Sequence, residues 1–255
     1  MNKYVIREVL RIGSEHKQCE DSNLSMTFRY ENQNLYFLIA FDGCSGGVDS
    51  HFASNLLKKC FRWAFENSYL LKQESGNITA WNLEYLTQSI FKSVIQKLKE
   101  TCVILNLRTD EILSTVVYTV VRYSPINITN NEYYTVISGD GAYMVNDKLT
   151  VIDQHNEPNY IAYHLDKSFD DIWNTFTVVY GTEDINNFAV MSDGIQSYKK
   201  DNKYDNELPI QKLLKEDKII QSEAMLPRIC NILNNEKYYH YDDLSIVRLI
   251  KLKDE

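Results

Sequence analysis

The sequence predicts an α+β layered domain, with sheets packed together and helices on the outside. Its 255 residues are 44% hydrophobic, enough to form one large core, so we expect a single domain over residues 1–255. Segments rich in Val, Thr and Tyr alternate with segments whose apolar residues recur every three or four positions. The order is strands, two helices, strands, helices and a last strand, which is typical of layered α+β domains.

The first part of the chain is predicted to form a β meander followed by two helices. Residues 4–12 and 23–29 have strand-like composition, and residues 35–41 form a short apolar run typical of a buried strand. Asp49 or Ser50 can cap the first helix. Residues 79–103 are predicted to form the second helix, because apolar side chains recur on one face at Leu83, Leu86, Ile90, Val94 and Leu98.

The rest of the chain is predicted to contain five more strands, further helices and a closing strand. Two strands, 114–123 and 133–138, are joined through polar residues 127–132, and a small hairpin covers 143–152. Residues 154–184 are mixed in composition and predict loops or a flap. The last predicted elements are a strand at 188–191, a polar loop at 199–207, one or two helices within 208–234 and a strand at 244–252.

Composition and charge exclude several classes of function. Lys and Arg number 27 against 35 Asp and Glu, and a net charge of -8 argues against nucleic-acid binding, which needs clustered cations. No apolar stretch is long enough to span a bilayer, and residues 1–12 lack the apolar centre of a signal peptide. The five cysteines form no close pairs, and the phosphate-binding loop of P-loop ATPases is missing. We therefore expect a cytoplasmic protein without a membrane segment.

Acidic residues recur where the predicted strands end. Three of the nine glycines directly follow an aspartate, in Asp42-Gly43, Asp140-Gly141 and Asp193-Gly194, and each pair ends an apolar run. Asp-Gly is also a common hairpin turn, so each pair alone predicts no more than a turn. Together with the acidic pairs 20–21 and 242–243, they predict carboxylates that converge on one rim. A divalent cation such as Mg²⁺ or Mn²⁺ would offset their repulsion, and a pair of such ions could activate water for attack on phosphorus.

These motifs, in this order, resemble those of the metal-dependent Ser/Thr protein phosphatases, the type 2C-like or PPM family. The N-terminal segment 13–21 is particularly similar to a divergent prokaryotic branch of that family. The resemblance implies a four-layer α-β-β-α sandwich, in which helix pairs flank two antiparallel sheets. It rests on the following residues: Glu20-Asp21, Phe41-Asp42-Gly43, Ser114-Thr115, Gly139-Asp140-Gly141, Ser192-Asp193-Gly194 and Asp242-Asp243-Leu244.

The resemblance also implies a role for each acid. Asp42 would bridge two Mg²⁺ or Mn²⁺ ions, and Asp193 and Asp242 would complete the protein ligands of one ion. Glu20 and the Gly43 carbonyl would bind the other ion. Behind these ligands, Asp21 would order metal-bound waters, and Asp140 would share a weaker third ion with Asp193. Asp243 stands where the family usually has Asn, so we expect at most an indirect role for it.

Two positions depart from the family pattern. His16 stands where the family often has an Arg that holds the substrate phosphate, so His16 is either a replacement phosphate donor or a histidine that supports the fold. Cys44 stands where many members have a His that protonates the leaving group. A thiol is a poor replacement at neutral pH, so a metal-bound water would take over this step and turnover could be slower. As a nucleophile Cys44 is disfavoured, because no nucleophile-elbow motif surrounds it.

The resemblance implies a Mg²⁺- or Mn²⁺-dependent hydrolase that removes phosphate from phosphoserine and phosphothreonine in proteins. A metal-bridging hydroxide would attack directly, without a phosphoenzyme. The expected partners are a phosphorylated protein and a cognate Ser/Thr kinase or its targets, and we expect a monomer that acts in signalling. A pseudophosphatase that binds phosphoproteins without turnover is the main alternative, and a two-metal enzyme acting on nucleotides is a more distant one.

Overall fold

Two five-stranded antiparallel sheets form the centre of the computed structural model, which describes residues 4–30, 33–72, 82–123, 131–155, 157–217 and 220–252. In spatial order, the first sheet contains β1 (Tyr4–Arg11), β13 (Leu244–Lys251), β9 (Asn187–Met191), β6 (Gly141–Val145) and β7 (Lys148–Ile152). The second sheet contains β2 (Ser22–Tyr30), β3 (Gln33–Gly43), β4 (Ser114–Tyr123), β5 (Asn131–Ser138) and β8 (Thr177–Glu183). A small third sheet contains β11 (Lys203–Tyr204), β10 (Tyr198–Lys200) and β12 (Tyr239–His240).

Helices cover the outer face of each large sheet. The described helices are α1 (Ser50–Asn67), α2 (Tyr69–Lys72), α3 (Leu83–Leu105), α4 (Phe169–Trp173), α5 (Glu207–Lys215) and α6 (Met225–Asn235). One apolar cluster joins α1 and α3 to the second sheet, and another joins α5 and α6 to the first. A third cluster lies between the two sheets. The four-layer α-β-β-α sandwich is therefore confirmed. None of the described helices is both long and apolar enough to cross a membrane.

The continuous apolar run of β3 follows from burial on both of its faces. Its alternate residues Phe37, Ile39 and Phe41 pack among the helices, while Leu38 and Ala40 between them pack against the first sheet. A strand buried on both faces needs apolar side chains at every position, unlike a strand with one face in water. Packing on both faces fixes the position of Asp42, the next residue of this strand.

The predicted β meander is wrong. β1 pairs with β13 at the other end of the chain, whereas β2 and β3 pair in the second sheet. A meander joins neighbouring strands through tight turns, but the connection between β1 and β2, residues 12–21, is long enough to cross from one sheet to the other. This crossing carries the segment with His16 and Glu20 along the ends of both sheets.

Other boundaries also differ from the prediction. The polar loop at 199–207 contains the hairpin of β10 and β11, which turns through Asp201 and Asn202, both with positive φ, at 50° and 62°. Three short elements lie in the unassigned stretch 154–184: a 3-10 helix at Ile161–His164, α4 and β8. β5 already begins at Asn131, and residues 127–130 of the predicted connection lie outside the described residues. Residues 79–81 of the second predicted helix also lie outside them.

Arg248 ties the α5 layer to the first sheet from a fully buried position. Its guanidinium donates to Asn187 Oδ1 at 2.8 Å, to the Glu216 carbonyl at 2.9 Å and to Asp217 Oδ1 at 2.9 Å. Its side chain is 0% exposed, and burial lowers the pKa of Arg248 to about 10, so the group is still charged at neutral pH. Each acceptor would lose its partner without this side chain.

Replacing Arg248 with Ala is expected to lower the free energy of unfolding by about 3–5 kcal/mol, because buried acceptors lose their donors and a cavity is left. Urea denaturation followed by circular dichroism measures this change. The control is Lys215→Met, which removes a surface ion pair with Asp147 at 3.9 Å and should cost less than about 0.5 kcal/mol. Similar losses in the two variants would contradict the assignment.

Candidate active site

A cleft of about 270 Å³ lies where strands of both large sheets end. Asp42 ends β3 in the second sheet, Asp193 follows β9 in the first sheet, and Asp242 lies just before β13. The structure thus brings together acids that are more than 200 residues apart in the chain. The lining consists of His16, Glu20, Asp42, Gly43, Cys44, Ser45, Thr115, Asp140, Pro158, Tyr160, Asp193 and Asp242.

Mutual repulsion and burial act on the carboxylates in the floor of the cleft. Burial raises the pKa of Asp42 well above its usual value, and the negative charges of Asp21 and Asp193 raise it further. Burial likewise raises the pKa of Asp21, a residue that is 2% exposed. Neighbouring carboxylates that are buried away from water cannot all ionise without a compensating positive charge.

Asp193 and Asp242 form the wall of the cleft that belongs to the first sheet. Burial raises the pKa of Asp193 to about 6, with further contributions from the charges of Asp242 and Asp140. Burial also raises the pKa of Asp242, which is partly exposed and accepts a hydrogen bond from the Asp243 backbone N–H at 2.9 Å. Both carboxylates thus lie in an environment where burial and neighbouring acids disfavour their ionised form.

Asp243 lies behind the cleft and holds its N-terminal loop in place. This buried carboxylate accepts hydrogen bonds from the backbone N–H groups of Gly13, at 2.6 Å, and Glu20. His16 Nδ1 lies 3.0 Å from Asp243 Oδ2, and His16 Nε2 lies 3.5 Å from Asp242 Oδ1. Although burial alone would lower the pKa of His16, these two carboxylates raise it overall. Both ring nitrogens of His16 therefore face acids, as expected of a residue that supports the loop.

Two glycines allow the turn at 242–243 to approach the neighbouring backbone. A Cβ on Gly13 would lie 2.4 Å from the backbone carbonyl carbon of Asp242, and one on Gly194 would lie 1.7 Å from the backbone oxygen of Asp243. Any side chain at either position would push the turn away. The glycine that follows Asp193 therefore serves close packing against another acidic segment.

Asp140 lines the cleft but has a hydrogen-bonding role of its own. Its Oδ1 accepts a hydrogen bond from the Gln154 backbone N–H at 2.6 Å, which fixes the start of the loop after β7. Burial raises the pKa of Asp140, and the Asp153 charge adds to the shift. One Asp140 oxygen is thus already engaged in a hydrogen bond within the fold.

Sequence reasoning missed two cleft residues, Pro158 and Tyr160, from the unassigned stretch 154–184. The buried Tyr160 hydroxyl lies in hydrogen-bonding contact with the Cys44 thiol, and burial raises the pKa of Tyr160, so it keeps its proton. No local pattern marks this tyrosine, because it reaches the cleft only when its loop packs on the second sheet. Thr115, opposite Asp42 on β4, also lines the cleft.

The donor set fits a hard divalent cation. Within the described ranges, no three His, Cys, Asp or Glu side chains meet in an arrangement that could hold a metal ion. Mg²⁺, however, is usually held by one or two carboxylates and several waters, so it does not need such a cage. Glu20 Oε2 is buried without a hydrogen-bond partner, and neither Asp21 oxygen receives a hydrogen bond of good geometry, although Ser192 and Asp42 face it. Buried, unpaired carboxylate oxygens are the groups that such a cation would satisfy.

Comparisons with known proteins give one family. The family model for protein phosphatase 2C matches residues 13–241. A bacterial serine phosphatase carrying a point substitution superposes with a TM-score of 0.61 at 14% identity, over 98% of this chain and 99% of that one. The phosphatase domain of SpoIIE from Bacillus subtilis gives 0.58 at 17% identity, over 99% and 65%. Stp1, a serine/threonine phosphatase from Staphylococcus aureus, gives 0.56 at 16% identity, over 98% and 95%. These structures share the fold, and no curated protein matches.

The raised pKa of Asp193 predicts a loss of stability as the pH rises. The Asp193 carboxyl has a pKa of 3.8 in the unfolded state and about 6 in the folded state, so the folded state binds the proton more tightly. The resulting stabilisation is complete below pH 3.8 and is lost as the pH rises through about 6. Between pH 5 and pH 7.5 the loss is about 1 kcal/mol. Urea denaturation in EDTA should show a larger loss in the wild type than in Asp193→Asn, which keeps only the contributions of the other buried acids. Asp147→Asn, at an exposed carboxylate, is the control, and an equal pH dependence in all three proteins would refute the prediction.

Proposed function

The chain belongs to the protein phosphatase 2C family, and from this premise we propose that it is a Mg²⁺- or Mn²⁺-dependent phosphatase of phosphoserine and phosphothreonine in proteins. The observation that carries the proposal is that one cleft is lined by Glu20, Asp42, Asp140, Asp193 and Asp242, the acids of the ordered motifs. At such sites, divalent cations ionise a bound water and neutralise the charge of the phosphoryl group, and phosphate transfer depends on both effects.

The residues that would hold two ions divide between the two sheets. Asp42 would contact both ions, with Asp193 and Asp242 on one side and Glu20 and the Gly43 carbonyl on the other. Asp140 would share a third, weaker ion with Asp193. When bound, the ions supply an ionised water as nucleophile and offset the charge of the phosphoryl group.

The chain's own side chains would orient the substrate and hold these ligands. Asp21, buried directly behind Asp42, keeps the floor of the cleft polar. His16 lines the cleft, and the carboxylates of Asp243 and Asp242 raise its pKa. It is our candidate for contacting the substrate phosphate through Nε2, whose 3.5 Å separation from Asp242 Oδ1 is the longer of its two carboxylate contacts. Cys44 and Tyr160 line the cleft beside Gly43. The cleft therefore has a thiol and a tyrosine hydroxyl where many family members have a histidine. The physiological substrate is then a phosphoprotein, with the cognate kinase or its targets as partners.

Asp42→Asn and Asp193→Asn are each expected to reduce Mn²⁺-dependent hydrolysis of p-nitrophenyl phosphate and of a phosphoserine peptide by at least about 100-fold. Loss of one charged ligand removes roughly 3 kcal/mol of transition-state stabilisation. Release of p-nitrophenol and of inorganic phosphate measures this loss, with Asp147→Asn, at an exposed carboxylate that lines neither cavity, as the control.

A wild-type protein that hydrolyses neither substrate with Mn²⁺ or Mg²⁺ would contradict the proposal. Isothermal titration calorimetry then distinguishes the alternative. Tight binding of the phosphopeptide without metal-dependent turnover would identify a pseudophosphatase. This class remains an alternative because His16 and Cys44 replace the Arg and His that the family usually has.

His16→Gln is expected to raise the KM for a phosphoserine peptide about threefold to tenfold, with a smaller change in kcat, because a positive charge beside the phosphate is lost. The difference from wild type should shrink as the pH rises and His16 loses its proton. Steady-state kinetics between pH 6 and pH 8.5 measures both effects. A lower thermal midpoint with an unchanged KM would instead assign His16 solely to supporting the loop.

A further inference from the structure

A second cavity, of about 570 Å³, lies beside the cleft and shares no lining residue with it. Its walls come from the loop after β1, the β10–β11 hairpin and the segment before Asp242. Among its lining residues are Glu15, Lys199, Asp201, Lys237, Tyr239 and Tyr241. Two lysines and two tyrosines here contrast with the acids of the cleft.

On two separate segments, consecutive residues line the cavity and the cleft. Glu15 lines the cavity, and the next residue, His16, lines the cleft. Tyr241 and Asp242 are divided in the same way. Because consecutive Cα atoms are 3.8 Å apart, a peptide with its phosphorylated residue in the cleft would place a flanking residue at the cavity.

Aromatic contacts hold the ammonium group of Lys199 at the cavity wall. Lys199 Nζ lies 4.0 Å from the centroid of the Tyr241 ring and 5.0 Å from that of Tyr204. The two tyrosines are themselves joined, at 3.2 Å between their hydroxyl oxygens. Lys199 is therefore positioned before any ligand arrives, which reduces the entropy lost on binding.

The lining carries two lysines, Lys199 and Lys237, and two acids, Glu15 and Asp201, but neither ammonium group is firmly paired. Glu15 Oε1 lies 3.7 Å from Lys199 Nζ, and the Glu15 side chain is 64% exposed, so their ion pair is weak and readily exchanged. The exposed Lys237 ammonium makes no hydrogen bond or ion pair within the described residues. Asp201 is the other acid in the lining.

The backbone of the cavity wall is well defined. Asp201, Asn202 and Lys237 all have positive φ, at 50°, 62° and 65°, and all three line the cavity. The first two form the two-residue turn of a hairpin, a turn that requires positive φ at both positions. A lysine in this region of φ is uncommon and is held there by the surrounding structure.

We propose that this cavity binds an acidic side chain, Asp or Glu, which flanks the phosphorylated residue of the substrate. The proposal rests on the phosphatase function proposed above. A carboxylate entering the cavity would replace Glu15 at Lys199 and also reach Lys237. With a net charge of -8, the protein as a whole disfavours an acidic segment, so the attraction would come from these two ammonium groups.

The test uses two phosphoserine peptides that differ only at the two positions on each side of the phosphoserine, with Glu in one and Gln in the other. Two exposed ion pairs predict a KM about three- to tenfold lower for the Glu peptide. Lys199→Met/Lys237→Met should abolish this ratio while kcat and the hydrolysis of p-nitrophenyl phosphate stay unchanged.

Two further variants show whether the cavity itself is responsible. Glu15→Gln releases Lys199 and should lower the KM of the Glu peptide further. Lys203→Met removes a lysine of β11 that does not line the cavity, and it should leave the ratio unchanged. A wild type without preference for Glu, or a double variant that retains the preference, would overturn the proposal.

Failure of the phosphatase function gives a distinct result, in which neither peptide nor p-nitrophenyl phosphate is hydrolysed. Fluorescence anisotropy with the same labelled peptides then tests the cavity directly. Tighter binding of the Glu peptide that is lost in the double lysine variant would support the docking site. Equal binding of the two peptides would refute it.

Discussion

The buried carboxylate of Asp243 joins the two ends of the chain beside the cleft, and the arrangement of the site depends on it. It accepts hydrogen bonds from the backbone of Gly13 and Glu20, more than 200 residues earlier, and it faces His16. Gly194 lets the same turn approach the segment of Asp193. The side chain of Asp243 thereby holds the N-terminal loop with Glu20, while its backbone packs against the segment of Asp193. A neutral amide at this position has a single acceptor oxygen, so it could not receive both backbone N–H groups in the same way.

The cleft exists only because the two sheets are packed in one relative position. Asp42 belongs to the second sheet, whereas Asp193 and Asp242 flank strands of the first. The apolar cluster between the sheets therefore fixes distances between carboxylates that repel one another. Burial within this scaffold raises the pKa of Asp42 and Asp193, so the site costs stability that the core must supply. This arrangement is common at functional sites, where local charge is held against repulsion by packing elsewhere.

Sequence periodicity predicts most of the helices and strands, but it does not predict which strands pair with each other. Strand 114–123 was predicted at its true bounds, since both of its faces are buried and its composition is β-branched. The pairing of β1 with β13 leaves no local pattern, because alternation encodes a buried face and not a neighbour. The turn at Asp201 and Asn202 was missed although both residue types tolerate positive φ. The acids of the cleft were visible as motifs, whereas Tyr160 and Lys237 join the site region only through tertiary packing.

The two cavities lie side by side, and consecutive residues of two segments, 15–16 and 241–242, line one or the other. In the function proposed above, the acids of the cleft would bind cations and, through them, the phosphate group that every phosphoserine shares. The second cavity would bind the flanking side chains, which differ between substrates. Because no residue lines both cavities, substitutions in the β10–β11 hairpin can alter substrate preference without moving a carboxylate of the cleft. A hairpin fixed by its own turn and by the Tyr204–Tyr241 contact can vary in this way while the two large sheets keep their packing.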